Sequence, residues 1–528
     1  MPHTKVTLED IALRAGVSTA AVSQALSGKG ALSQATRQKI IQMVEELSYQ
    51  PDKVAQNLAR RRASQADGKR IEGSKRKNLP PPGIMVFYNL PELSEVVHLE
   101  IQQMEEEGFD VSRQRQELLT AQKPSKQKLY QLYSQVLAAP PLPGFQYNEP
   151  NTLSEIQQQR PDKLPVYSSS ISTSTLFDRI HGAWLGRTAG CVLGKPLQAG
   201  WSRQKVTQYL QLAKSYPLRD YLPRLLPPPP GFDFEPETSG CFLGEIHGAA
   251  QDDDTDFSIL ALHILETYGV EFTIRDVATE WLSHLAYFGT YTTERAVYRN
   301  LVWNTHPEEA AAFANPEREF AGARTRADLY GYICPGRPAQ AASLAYKDAA
   351  LSHTKNGLYS AMFMAALISW SFACPNIEQA VQVALNAIPH NCRLAEAIQI
   401  VLATYQNGQD WESAYDQVLL RCGGYSPIHS INNTAWVALS ILYSEGSFTQ
   451  ALALAVTCGM DTGSNAGSVG SALGAFLGRS ALPDHWTEPL HNQLFTAVAG
   501  FRESNLAELA GRTAAIAQRT LLQPPYVE

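Results

Sequence analysis

The chain has 528 residues, too many for one hydrophobic core, and carries a formal net charge of −7. Its seven cysteines are scattered with no CxxC pair, which excludes a disulfide scaffold and points to reduced, buried thiols. The charge is unevenly placed: through Lys77 there are 14 Lys and Arg against 7 Asp and Glu, and the remainder holds 30 against 44. A basic unit on an acidic body calls for a polyanionic partner for the small unit alone. The first residues, MPHTKVTLED, contain no apolar run of the signal-peptide type, so a cytoplasmic location is expected.

Thr7 with Asp10 three residues on opens a first helix, and Gly16 supplies a tight turn. Ser18 caps a second helix over 19–27, and Ser33 caps a third over 34–47. Val22 and Leu26 point inward on the second helix, while Thr19, Ala20 and Gln24 share its other side. Short polar side chains at a helix N-terminus suit reading of base edges in the major groove. A three-helix bundle that binds protein is the alternative. The run VTLEDIALRAGVSTAAVSQAL, followed by TRQKI and YQPDKVAQNLA, resembles the DNA-binding headpiece of the lac-repressor family across nearly all of residues 5–62. The resemblance implies that Thr19, Ala20 and Gln24 read bases and that Ser18 and Ser23 touch phosphates. It further implies a hinge helix over 52–60 with Leu58 as a minor-groove wedge, and phosphate contacts from Arg60, Arg61 and Arg62. The partner is then an operator in double-stranded DNA, bound by a homodimer. The two-lobed α/β sensor usual in that family does not appear.

Residues 63–83 are polar, basic and closed by prolines, as a flexible linker is. A short strand is expected at 84–88, then an amphipathic helix ending near Gly108. Residues 123–175 mix helical pieces with Pro-rich turns. From Leu176 the i, i+3, i+4 apolar spacing predicts helices over 176–190, 256–268, 276–288, 357–372, 377–388, 393–405, 432–443, 448–457 and 465–477. The expected fold is mainly α. The apolar stretch 357–374 is read as a buried helix and not as a membrane span.

Two polar clusters enter such helices: QDDDTD at 251–256 and GMDTGSN at 459–465. Four acids in five residues repel unless a cation or a helix N-terminus neutralises them, and hard oxygens at that density suit Mg²⁺, Mn²⁺ or Ca²⁺. An acidic N-cap on a solvated helix end is the alternative for each. Together with HGAWLGRTAGCVLGKP (181–196), ERAVYRNLVW (294–303), RADLYGYICPG (326–336), LSHTKNGLYSAMFMAALI (351–368) and HSINNTAWVALSILYSEGSF (429–448), they resemble the ADP-ribosylglycohydrolase family. Residues 84–175 resemble an N-terminal extension of some members. The domains expected are thus a headpiece with hinge over 1–62, a linker over 63–83, the extension over 84–175 and an all-α hydrolase-like bundle over 176–528.

The resemblance implies a dinuclear Mg²⁺ site with Asp252, Asp253, Asp254, Asp461 and Ser464 as ligands. Asp253 or Asp254 would position the water that attacks the glycosidic bond of an ADP-ribosyl or related riboside substrate. His353 and Asn356, with Asn432 and Asn433, are expected to face the cleft. The chain departs from the family pattern twice: Gly463 stands where an acid commonly bridges both metals, and Gln198 where an acid commonly follows the G-x-P turn. Three readings stay open: a regulator fused to an active hydrolase, a repressor whose degenerate hydrolase domain senses an ADP-ribose-like or nucleoside ligand, and a hydrolase merely tethered near chromosomal sites by its headpiece.

Overall fold

The computed structural model describes residues 14, 17, 22, 34–46, 90–121, 123–161, 163–167, 170–198 and 200–524. The chain partitions into two compact units, Met1–Leu79 and Pro80–Glu528. In the first, helix α1 (Gln34–Glu46) follows directly on Ser33, and its Ile40 is fully buried. Val22, expected to face inward, is also fully buried. Ser18, Thr19, Ala20, Ser23, Gln24, Leu58, Arg60 and Arg61 lie outside the described residues, as do the expected hinge, the linker and the 84–88 strand.

The second unit opens with α2 (Leu90–Glu106) and α3 (Lys126–Leu137). Leu93, Val97 and Ile101, four residues apart, form one stripe of α2 and meet Leu129, Leu132, Tyr133 and Val136 in a small separate core. The rest of α2 is held by buried charge. Arg318 pairs with Glu100 and Glu107 at 2.7 Å each, and the Gln103 amide donates to Glu319 at 2.7 Å. This segment is thereby fixed to the body by desolvated ion pairs, which are costly to break one partner at a time.

The body is built on α4 (Thr173–Gly194), α5 (Asp253–Tyr268), α6 (Ile274–His284) and α7 (Thr292–Val302). It continues through α8 (Asn356–Ser371), α9 (Ser430–Leu442), α10 (Phe448–Thr457), α11 (Thr462–Leu477) and α12 (Leu506–Leu522). Every residue of α8 except Trp370 is buried, so its apolar character serves the core. No helix among the described residues is long and apolar enough to cross a membrane. Two small antiparallel ribbons pin loops: β1 (Trp201–Ser202) with β2 (Gly459–Met460), and β3 (Gln493–Phe495) with β4 (Glu503–Asn505).

The central packing event is α4 against α11. A Cβ built on Gly182 would lie 2.6 Å from Gly474 O, on Gly186 2.1 Å from Gly470 O, on Gly190 2.0 Å from Ala466 O, and on Gly194 2.3 Å from Thr462 O. As one number rises the other falls, so the helices run antiparallel with backbones in direct contact. Small residues at a spacing of four, one per helical turn, permit this approach. Its consequence is positional: the C-terminal end of α4 meets the N-terminal end of α11, where the Thr462 hydroxyl donates to Gly194 O at 2.8 Å.

Candidate active site

The two acidic segments, about two hundred residues apart in sequence, meet at this helix junction. Asp252 is the N-cap of α5, its Oδ1 accepting the Asp254 amide at 3.0 Å. Its Oδ2 lies 3.0 Å from Lys195 Nζ, just past α4. Asp254 Oδ1 accepts the Ser464 hydroxyl of α11 at 3.1 Å, while its buried Oδ2 has no hydrogen-bond partner. Asp461, the residue before α11, is buried beside them, and its Oδ1 lies 3.5 Å from Gln198 Nε2. Asp253 is the one partly exposed acid of the group. Asp256, the fourth acid, turns away: Gln251 Nε2 and the Ala497 amide donate to it at 2.7 and 3.1 Å.

Burial dominates the electrostatics. It pushes the Asp253 carboxyl well above the usual carboxylate range, with Asp252, Asp254, Glu294 and Asp461 adding in the same direction. Asp254 is pushed up to about 7 by burial and by Asp252, against the opposing Arg187. Asp461 is raised by burial although Arg324 opposes the shift. The protein's own cations are largely engaged elsewhere. Arg187 is fully buried, donates to the backbone oxygen of Asp254 at 2.8 Å and pairs with Asp328 at 3.4 Å. Arg324 donates to Asn465 Oδ1 at 2.8 Å and Ser468 Oγ at 2.9 Å.

A buried carboxylate oxygen without a partner, three mutually repelling carboxyls and an adjacent hydroxyl fit a hard divalent cation. Asp253, Asp254 and Asp461, with the Ser464 hydroxyl, are the groups available to hold it. Asp252 is committed otherwise, to capping α5 and to Lys195.

Asn433 and Asn432 belong to the same neighbourhood. Asn433 Oδ1 accepts the Asp461 amide at 3.3 Å and the Asn465 amide group at 2.8 Å, and so orients the second acidic segment. Asn432 donates to Ser426 O at 2.9 Å and lies 3.4 Å from Met460 Sδ. His353 and Asn356, expected at the cleft, are both buried in hydrogen-bond networks, with His353 Nε2 4.0 Å from Glu294 Oε1. His353 is buried between the Ala323 amide at 3.3 Å and Ser352 Oγ at 2.7 Å, and burial with Arg326 holds it far below the usual imidazole range. Asn356 donates to Glu319 and Glu149 at 2.8 Å each and accepts from the Leu394 amide at 3.0 Å, so both its donors serve a structural network.

Sequence reasoning missed several members. Glu294, on α7, acts on Asp253 through its charge and accepts from Arg326 Nη1 at 2.7 Å. A Cβ on Gly322 would sit 2.1 Å from Glu294 Oε1, so that glycine makes room for the carboxylate. Glu294 stood at the start of a recognised motif, but an acid in the first turn of an amphipathic helix reads as dipole compensation. Arg187, Arg324 and Asp328 were hidden for a related reason: in sequence a fully buried ion pair looks like any surface charge.

The two departures from the family pattern prove to be neighbours. A Cβ on Gly463 would lie 2.9 Å from Gln198 Oε1. The space an acid at position 463 would enter is occupied by the amide standing in for an acid at position 198.

An acid-centred helical bundle carrying a separate N-terminal helical unit is the class that this fold and site define. The chain belongs to the ADP-ribosylglycohydrolase family, which matches residues 172–521, and its residues 7–52 match the bacterial regulatory proteins of the lacI family. The N-terminal segment is 49% identical over 53 residues to the HTH-type transcriptional regulator AscG of Escherichia coli (strain K12), covering 10% of this chain and 16% of that one. It is 41% identical over 58 residues to the HTH-type transcriptional repressor CytR of the same strain, covering 11% and 17%. The chain thus spans about a sixth of the length of these curated relatives. A solved ADP-ribosylglycohydrolase-related protein complex aligns with 66% of this chain and 99% of its own, at 20% identity and a TM-score of 0.42.

Proposed function

We propose that this protein is a DNA-binding transcriptional regulator whose large domain hydrolyses the glycosidic bond of an ADP-ribosyl or related riboside substrate with Mg²⁺. The observation that carries the catalytic half is the meeting of Asp254 with Ser464, 3.1 Å apart, beside a buried Asp254 oxygen left without a partner. Mg²⁺ needs only one or two carboxylates and keeps several waters, so an open set of Asp253, Asp254, Asp461 and Ser464 suffices. Bound there, it would supply positive charge to order ribose hydroxyls and acidify a water. Asp253, partly exposed where Asp254 is buried, is the better placed of the two to orient the attacking water and take its proton. The developing oxocarbenium charge would be met by the surrounding carboxylates. Lys195 keeps Asp252 paired and out of the reaction.

The regulatory half rests on the headpiece resemblance. Ser18, Thr19, Ala20, Ser23 and Gln24 would contact an operator, and Leu58, Arg60 and Arg61 would engage the minor groove and phosphates, in a homodimer.

A second reading has its own support. Gly463 against Gln198 removes two acids from the family site at one contact, which favours a domain that binds an ADP-ribose-like or nucleoside ligand without cleaving it. One assay separates the two. The purified chain is incubated with Mg²⁺ and a panel of ADP-ribosylated peptides and ribosides. Turnover that requires Mg²⁺ and is lost in Asp253→Asn is the expected result. No turnover, with a ligand-dependent change in operator binding, supports the sensor instead.

A further inference from the structure

Away from the acidic centre, the far end of α5 carries a different set of groups. His263 on α5 and Glu280 and His284 on α6 converge. Glu280 Oε2 lies 3.2 Å from His263 Nε2 and 2.9 Å from His284 Nδ1, and the imidazole centroids are 4.6 Å apart. Among the described residues this is the one group of three His, Cys, Asp or Glu side chains whose ligand atoms all lie within 4.8 Å of one another. Glu280 and His284 are one helical turn apart, so both project from the same face of α6.

An ordinary His–Glu–His hydrogen-bonded triad does not account for the geometry. Glu280 Oε2 and His284 Nδ1 are both buried and 2.9 Å apart, yet no hydrogen bond forms between them. A tetrahedral ion with N and O ligands at about 2.0–2.2 Å sets its ligands about 3.3–3.6 Å apart; the Glu280–His263 distance of 3.2 Å is close to this, and the Glu280–His284 distance of 2.9 Å is shorter. The Tyr268 hydroxyl donates to the other oxygen, Glu280 Oε1, at 2.6 Å, which fixes the carboxylate as an outer-shell partner would. His263 and His284 side chains are each 24% exposed, so water has access to a fourth position.

We propose that His263, Glu280 and His284 form a second metal site, for a borderline transition-metal dication such as Zn²⁺, distinct from the acidic centre. Two imidazoles and one carboxylate are the donor set such ions take, whereas Mg²⁺ prefers oxygen alone. His263 lies ten residues beyond Asp253, about 15 Å along the helix axis. The ion would clamp α5 to α6. His284 O also accepts the Ala499 amide at 2.9 Å, and Ala497 of that loop donates to Asp256 near the acidic centre. The clamp therefore fixes the helix that presents Asp253 and Asp254.

The test uses the tag-free full-length chain, stripped with chelator and titrated with Zn²⁺ in excess Mg²⁺. One Zn²⁺ per chain and a raised unfolding temperature are expected. Binding should vanish in His263→Ala and His284→Ala, weaken about 10–100-fold in Tyr268→Phe, and persist in Asp461→Asn. Co²⁺ bound to the unaltered protein gives a readout that no variant's folding can confound, namely the intense visible bands of a tetrahedral nitrogen-containing site. The proposal is overturned by the absence of stoichiometric Zn²⁺ binding, by binding that survives both histidine variants or disappears in Asp461→Asn, or by a weak octahedral Co²⁺ spectrum.

Discussion

Replacing Gly190 with Ala tests the packing that creates the acidic centre. The new Cβ would sit 2.0 Å from Ala466 O, 2.3 Å from Ala466 C and 2.6 Å from Gly467 N. Ordinary contact needs about 3.5 Å, so α4 and α11 would have to part by roughly 1.5 Å. The obstructing atoms are backbone, so no rotamer change relieves the clash. Overpacking of this kind costs about 1–3 kcal/mol and sometimes more, and the better helix propensity of Ala returns at most about 1 kcal/mol. The net loss should be about 1–2 kcal/mol, read by chemical denaturation. Gly511→Ala, in the middle of α12, is the internal control: its Cβ would meet nothing nearer than Phe177 Cε2 at 4.0 Å. That substitution should be neutral or stabilising by up to about 1 kcal/mol. Parting the helices should also weaken Mg²⁺ binding, because Asp461 and Ser464 move with α11 while Asp253 and Asp254 stay with α5, which Arg187 of α4 holds through the Asp254 backbone oxygen. A Gly190→Ala protein as stable as Gly511→Ala would refute the claim that backbone contact sets the junction.

Other expectations follow from the same geometry. Arg187→Met leaves Asp328 buried without its cation and should cost about 3–5 kcal/mol, again read by denaturation; a loss under 1 kcal/mol would mean that the pair is not desolvated. Asp254 is pushed up to about 7 in the folded chain, against about 3.9 unfolded. The folded state therefore retains a proton that the unfolded state has released between those values. Metal-free stability should accordingly fall as pH rises through that window, and Mg²⁺ should restore it at the alkaline end; a rise in metal-free stability would contradict the assignment. On DNA, Arg60→Ala and Arg61→Ala should weaken binding across sequences and flatten its salt dependence. Gln24→Ala should change sequence preference, and a uniform loss would count against a base contact.

Much of the body was legible because its helices are long and their punctuation is local. The helix expected over 465–477 is α11 extended to Thr462, and the one over 176–190 is α4 extended at both ends. The boundaries moved because caps such as Ser172 and Asp461 lie outside the apolar stripe. Asp254, Asp461 and Ser464 could be named because the segments that hold them resemble motifs of the ADP-ribosylglycohydrolase family, and the two polar clusters each enter a helix with an apolar pattern. Asn356 could not be placed, since its partners Glu149 and Glu319 lie 207 and 37 residues away and nothing local signals them. Glu294 and Gly322 form a pair that only tertiary contact reveals. The His263, Glu280 and His284 group went unseen for a further reason. Its members fall on two helices whose crossing is not encoded in spacing.

The central claim is that two acidic segments, joined through Asp254 and Ser464, hold a divalent cation. Paramagnetic resonance of Mn²⁺ titrated into the chain, with Mg²⁺ as competitor, measures it directly. The account predicts saturable Mn²⁺ that Mg²⁺ displaces and that is lost in both Asp254→Asn and Asp461→Asn. Mn²⁺ binding indifferent to both substitutions, in chains that remain folded, would contradict it.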